Sequence, residues 1–254
     1  MIIGRQIIRL SVTTSTMDEI DRLVGQGEPE GLVVVADRQT AGRGRAGRAW
    51  HSASGSGLLF SILLRPRKTP AEIAVFPLIV GLAVAEAIDE IAGVRSSLKW
   101  PNDVLIDDKK VAGIVMTSRI MDETIDYLNI GIGINVTGAA LPSDGTSLAD
   151  SSSRIVDRDK LLKKILTRLD NAYASFCISG SGPFIHDWTA KAAYLNERIE
   201  AESEGMKIEG IMRGVDDIGA LLIETEDGSE LRIVAGELTR GPRRPEASND
   251  KVAY

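Results

Sequence analysis

The chain has 254 residues, 43% of them apolar and 26% charged, with a formal charge of -6 and a sequence pI near 5.1. These values fit one sizeable soluble globular domain, or one with a small appendage, and the net acidity argues against bulk affinity for nucleic acid. A single cysteine, Cys177, excludes an internal disulfide framework and a cysteine-rich zinc site, and it fits a reducing compartment such as the cytoplasm.

Ile2 and Ile3 are followed at once by Gly4 and Arg5, so no apolar secretory segment forms. Residues 7–12 read as a strand leading into Thr13, Thr14, Ser15 and Thr16. Met17, Ile20, Leu23 and Val24 then recur at helical spacing, and Thr16 with Glu19 fits a capping box. Hydroxyls left over at a helix N-terminus can instead hold the polar head of a small ligand. Residues 31–36 form a buried strand that runs into Asp37, Arg38, Gln39 and Thr40.

The loop Ala41-Gly42-Arg43-Gly44-Arg45-Ala46-Gly47-Arg48-Ala49-Trp50 follows. Its glycines let the backbone lie close to a ligand, and its arginines supply planar forks suited to phosphate. From Arg38 to Ala71 there is no acid, against Arg38, Arg43, Arg45, Arg48, Arg65, Arg67 and Lys68. In an acidic chain that segregation of sign points to a polyanionic ligand. Gly42, Gly44 and Gly47 match the dinucleotide fingerprint in spacing, but no helix pattern opens in the same turn and the next acid is Glu72, so that reading fails. No Gly-Lys-Ser/Thr phosphate loop is present either.

Residues 58–64 read as a strand and 75–91 as a long apolar helix. The run 73–88 is shorter than the ~20 residues of a membrane span and contains Pro77 and Glu86, so it reads as a core helix, with no membrane partner. Residues 97–100 form a short strand closed by Pro101, Asn102 and Asp103. Strands at 104–106 and 111–117 flank Asp107-Asp108-Lys109-Lys110 as a hairpin. A strand at 127–136 carries Gly131 and Gly133, which leave room for close approach. Residues 138–153 are polar loop. Asp157 opens an amphipathic helix with Leu161, Leu162, Ile165, Leu166, Leu169, Tyr173 and Phe176 on its apolar side, and a shorter helix lies near 184–194. From Arg198 the period becomes two, with strands at 198–201, 207–215, 220–226 and 231–235. These make a small barrel or sandwich that leans on the main domain. The division is 1–195, 196–241 and a disordered tail at 242–254.

Lys99, Pro101, Asn102, Asp103 and Lys110 form a second polar cluster that in isolation is ordinary turn chemistry. Beside a cationic loop it gains a purpose. A carboxylate attacking a phosphate needs positive charge around the transition state, which Arg43, Arg45 and Lys110 can supply, with Asp103 as metal ligand or hydrogen-bond acceptor.

Thr14-Ser15-Thr16, the stretch from Gln39 to Trp50, Lys99-Trp100-Pro101-Asn102-Asp103, Lys110-Val111-Ala112-Gly113-Ile114 and Gly131-Ile132-Gly133-Ile134-Asn135, in that order, resemble biotin–protein ligases over nearly the whole chain. The resemblance implies an α+β fold, a mixed sheet flanked by helices with a small C-terminal SH3-like barrel. It implies a two-step reaction: biotin and ATP, with Mg²⁺, give biotinyl-adenylate and pyrophosphate, and the adenylate then acylates a lysine of a biotin carboxyl carrier protein. By motif position Ser15, Thr16, Met17 and Gln39 would meet biotin's ureido end. Gly42, Arg43, Gly44 and Arg45 would form a lid that orders over the ligand. Lys110 would sit by the carboxylate and α-phosphate, with Gly113 beside the ring. Arg45, Arg48, Trp50, Asn102, Lys110 and Asn135 would serve the nucleotide, and Asp103 would hold the metal or the incoming lysine. Met17 departs from the asparagine often found after Ser-Thr. The chain reads as a short form without the N-terminal DNA-binding domain, so no DNA partner is expected, and homodimerisation is implied only by resemblance. A lipoate–protein ligase, a non-catalytic nucleic-acid module and a biotin-dependent regulator are the rival readings. His51 and His186 read as surface or structural residues. Cys177, Phe184 and Trp188 read as core, and Lys160, Lys163, Lys164 and Arg168 as a solvated helix face.

Overall fold

The computed structural model describes residues 1–138 and 141–240. The tail read as disordered, with Gly241, lies outside the described residues, as do Ala139 and Ala140 of the polar loop. Runs rich in Val, Ile and Leu form a seven-stranded sheet in the order β1-β2-β3-β7-β6-β5-β4. Its strands are β1 (Gln6–Thr13), β2 (Leu32–Gln39), β3 (Gly57–Leu64), β4 (Ser97–Lys99), β5 (Asp103–Ile106), β6 (Lys109–Met121) and β7 (Thr124–Asn135). Only the β1–β2 pair is parallel, so the sheet is mixed as expected.

Each face is covered because the strands are apolar on both sides. On one face lie α3 (Phe76–Ala92), α5 (Arg158–Ser179) and α6 (Gly182–Ala190), packed on Phe60, Ile62, Ile114 and Ile130. On the other, Ile20 and Leu23 of α1 (Thr16–Val24) meet Leu32, Val34 and Leu63. Helix α3 is apolar nearly all round because it is buried nearly all round; with the short α2 (Pro70–Ile73) it is long and apolar enough for a membrane span, yet it forms the core. The carboxylate of Asp157 caps α5, accepting from the N–H groups of Asp159 and Lys160 at 2.8 and 3.0 Å. The polar loop contains one further helical turn, α4 (Leu148–Ser151).

Three expectations change. The N-cap of α1 is Ser15 rather than Thr16, and Glu19 pairs with Arg22 and Thr13, because the Thr16 hydroxyl is drawn inward to Gln39 and Ser61. Cys177 is exposed: one residue beyond buried Phe176, it turns about 100° away from the core. Arg168 and Lys164 are not simply solvated, since they pair with Glu86 and Glu90 of α3.

The C-terminal strands β8 (Arg198–Ser203), β9 (Met206–Val215), β10 (Leu221–Glu224), β11 (Glu230–Ile233) and β12 (Glu237–Arg240) form an antiparallel sheet in the order β11-β10-β9-β8-β12. Among the described residues, β11 and β12 are not hydrogen-bonded to each other, so pairing does not draw the closed ring of a barrel. Met212, Leu221, Ile223 and Leu238 belong to the same continuous core as the large sheet, and the Trp100 indole donates to the Gly219 carbonyl at 3.0 Å. A unit of this size gains the core it lacks by sharing its neighbour's.

Candidate active site

The site begins as a floor largely bare of side chains. Gly113 on β6 lies opposite Gly133 on β7, and Val115 lies opposite Gly131. Trp50 stands on this floor: a Cβ at Gly133 would lie 2.5 Å from the indole, and one at Gly113 would lie 3.0 Å from it. Any larger residue at either position would displace the ring. Trp50 faces two depressions at once, and its buried indole N–H has no hydrogen-bond partner among the described residues.

One depression is lined by Ser15, Thr16, Met17, Gln39, Arg43 and the glycines, and has only about 20 Å³ of free space because Trp50 fills it. Here the Gln39 side-chain oxygen accepts from the Thr16 N–H at 2.7 Å and from its hydroxyl at 3.0 Å, and that hydroxyl lies 2.7 Å from the Ser61 hydroxyl. The Met17 sulfur would lie 2.8 Å from a Cβ at Gly131, so it closes the end of the depression. The other depression, about 190 Å³, is lined by Arg45, Arg48, Lys99, Asn102, Asp103, Lys110, Asp144 and Glu237. Its character is ionic. Lys110 Nζ lies 2.6 Å from Asp103 Oδ1 and 5.6 Å from the Trp50 ring centre.

A β-bulge aims Lys110. The β5–β6 register slips between Val104↔Ala112 and Leu105↔Lys110, leaving Val111 unpaired. That extra residue turns Lys110 onto the face of Gly113, and its Cε would lie 3.0 Å from a Cβ there. Asp107 and Asp108 form the two-residue turn with φ of 49° and 62°, so Lys110 stands on a strand and not in the loop expected.

The arginine loop is a narrow hairpin. Trp50 N–H donates to Gly42 at 2.9 Å, Gly44 N–H donates to Arg48 at 2.7 Å, and the turn at Arg45–Gly47 has Ala46 at φ 51°. Its arginines diverge. Arg43 turns to Asp18 and Asp21 of α1, away from the ionic depression where it was expected to serve phosphate. Arg45 donates to Asn102 at 3.0 Å and to the Gly236 carbonyl at 3.2 Å, and Arg48 pairs with Glu237. Burial lowers the pKa of Arg45, Asp103 opposes that shift, and Arg48 reinforces it. A half-desolvated cation of this kind gains from an anion.

Asn102 donates to the Ile114 carbonyl at 2.8 Å. Asn135, expected to line the nucleotide side, is buried and donates to the Thr146 and Lys110 carbonyls at 3.1 and 3.4 Å; it fixes Lys110 from behind. Sequence reading missed Ser61, Gly236 and Glu237. Ser61 sits in an otherwise apolar strand, where a lone hydroxyl was the available signal; nothing local marks the other two. It also overcounted the cations, since β3 carries Arg65 and Lys68 to its far end, where they pair with Asp126 and Glu72.

Among the described residues no group of three or more His, Cys, Asp or Glu could hold a metal ion. Asp103 brings a single carboxylate to the ionic depression, where it pairs with Lys110.

The chain matches the model of the Biotin/lipoate A/B protein ligase family over residues 9–135 and that of the Biotin protein ligase C terminal domain over 194–238. It is 35% identical over 237 residues to the bifunctional ligase/repressor BirA of Bacillus spizizenii, covering 89% of this chain and 72% of that protein. It is 32% identical to the biotin–[acetyl-CoA-carboxylase] ligase of Paracoccus denitrificans, covering 82% of this chain and 90% of that one. Its fold is similar to that of biotin protein ligase from Aquifex aeolicus in complex with biotin and ATP, at a TM-score of 0.81 and 36% identity over 93% of this chain and 100% of that one.

Proposed function

We infer the reaction and its residues from the premise that this chain belongs to the biotin/lipoate A/B protein ligase family. Its activity is the ATP-dependent ligation of biotin to protein. The observation that carries this reading is the pair of depressions divided by Trp50, one neutral and rich in hydroxyl and amide groups, the other ionic. Biotin has a neutral ureido ring and a carboxylate tail. Laid along the floor of Gly113, Gly131 and Gly133 with its ring toward Thr16 and Gln39, it would present the carboxylate to Lys110 and Arg45. The indole must lift for this, which frees its N–H to find an acceptor on the ligand.

In the first step a carboxylate oxygen of biotin forms a bond to the α-phosphorus of ATP, and the bond to the β-phosphate oxygen breaks, releasing pyrophosphate. Lys110 and Arg45 stabilise the charge that gathers on the phosphate oxygens, and Asn135 and the bulge at Val111 hold Lys110 on line. Asp103 would be the residue to hold Mg²⁺, which would supply charge neutralisation to the nucleotide. In the second step an acceptor lysine's amine attacks the acyl carbon, the bond from that carbon to the phosphate oxygen breaks so that AMP leaves, and the nitrogen's proton passes to water. The Lys110–Asp103 pair is exchangeable: as Lys110 moves to phosphate, the Asp103 carboxylate is released to meet the incoming ammonium. The proposed acceptor is a lysine on a biotin carboxyl carrier domain; the name of a related enzyme, biotin–[acetyl-CoA-carboxylase] ligase, supports a carboxylase as the acceptor protein. The lid over the mixed anhydride excludes water.

Pyrophosphate exchange into ATP, run with biotin and separately with lipoate, tests the first step; exchange with lipoate alone would transfer the chain to the lipoate branch. Mass spectrometry of a carrier domain after incubation with biotin and Mg²⁺-ATP tests the second, with one biotinyl increment on one lysine as the expected result.

A further inference from the structure

We propose that Asp18 and Asp21 of α1, held by Thr14 in the turn between β1 and α1 and by Tyr127 and Asn129 of β7, anchor the ureido end of the lid through Arg43 and keep that guanidinium out of the phosphate cleft. Each carboxylate has one oxygen tied to the fold and one turned to the lid. Asp18 Oδ2 accepts from the Thr14 hydroxyl at 2.7 Å, and its Oδ1 accepts from Arg43 Nη2. Asp21 Oδ1 accepts from Asn129 Nδ2 at 2.8 Å and from the Tyr127 hydroxyl at 3.3 Å, and its Oδ2 lies 3.7 Å from Arg43 Nη1. Asn129 is fully buried, and Nδ2 also donates to the Met17 carbonyl at 2.8 Å, so one amide fixes both the helix and its carboxylate. Burial, and after it the Asp21 charge, raise the pKa of Tyr127, which keeps the phenol protonated and donating.

The arrangement divides the charge of the loop. Arg43, Arg45 and Arg48 lie within six residues, and a polyphosphate attracts all three. The ureido group is neutral, and a cation drawn from its side would pull the hairpin out of register. Two acids against one arginine more than offset its charge there, leaving Arg45 and Arg48 for the nucleotide. Asp18, Asp21, Tyr127 and Asn129 are thus positioning residues acting through Arg43.

This assignment rests on biotin adenylation being the reaction. The test uses the full chain as D18N/D21N, with D21N, D21E and Y127F as milder variants should the double variant fail to fold. Release of preformed biotinyl-adenylate is followed by chase, alongside digestion of the ligand-free loop by a broad-specificity protease. In D18N/D21N, release should quicken about tenfold, in line with the loss of charged hydrogen bonds, and the loop should be cut faster. D21E should restore most of the retention. In an R43A background the double substitution should add little further, because the coupled groups are already separated. Unchanged release and unchanged cleavage, or full additivity with R43A, would overturn the anchor. Should the parent form no adenylate, the reaction assignment falls, and the protease comparison alone decides the anchor.

Discussion

Where the ureido ring is proposed to lie, the groove is made of short groups set in rigid elements: Thr16 on the first turn of α1, Gln39 at the end of β2, Ser61 within β3, and strand glycines. Where the phosphates are proposed to lie, it is made of long cations, Arg45, Arg48 and Lys110, balanced by Asn102, Asp103 and Glu237 drawn from two sheets. The difference follows the ligand. A neutral ring of fixed hydrogen-bond pattern is discriminated best by buried donors and acceptors that cannot move, since each unmatched one costs about 1–3 kcal/mol. A polyphosphate that is cleaved and partly released needs charge that can change partners, and an exposed pair such as Arg48–Glu237, worth at most about 1 kcal/mol, permits that exchange.

That contrast can be broken by substitutions that should act on one half alone. Lys110→Ala should have the largest effect, slowing pyrophosphate exchange about a hundredfold or more by removing a preorganised charge. Equilibrium binding of biotin alone should weaken far less, by about tenfold, because it loses one contact to the carboxylate and keeps those to the ureido ring. An equal loss in biotin affinity would show that the halves are not separable. Thr16→Val keeps the shape but leaves the Gln39 oxygen and Ser61 hydroxyl short of a partner. The KM for biotin should rise about tenfold with the KM for ATP unmoved, read in the same exchange assay. Arg45→Ala should release adenylate faster and spread biotin to many exposed lysines, seen by peptide mapping of a bystander protein; single-site labelling at the parent's rate would remove Arg45 from the retaining role. Glu237→Gln frees Arg48 from the C-terminal sheet and should shift the KM for ATP only a few-fold, in keeping with an exposed pair.

The smallest effect belongs to a residue outside both halves. Glu72 completes the capping box at the start of α2, and the Thr69 N–H, then Lys68 and the Thr69 hydroxyl, lower its pKa to about 2. A carboxylate depressed in the folded state adds stability above its ordinary value of 4.5, and that stability is lost as pH falls from there to about 2. The denaturation midpoint of the parent should therefore exceed that of Glu72→Gln at pH 7, and the gap should close by pH 2, with exchange activity at pH 7 the same in both.

Much of the fold was legible because hydrophobic period is a local property. The strands around residues 7–12 and 58–64 and the helix capped by Asp157 were set by the alternation or recurrence of their own side chains. The arginine loop and the Lys-Trp-Pro-Asn-Asp phrase were equally plain, as unusual residues in unbroken order. Other features needed the sheet to exist first. Whether Lys110 faces Gly113 depends on one unpaired residue at Val111, and a register slip is a relation between two strands that neither strand states. Thr16 left its capping role because Gln39 and Ser61, 23 and 45 residues away, offered it partners. The three arginines looked alike in sequence. Only packing assigned Arg43 to α1 and Arg48 to the C-terminal sheet, because a charge settles by its distance to other charges, and that distance is fixed by tertiary structure.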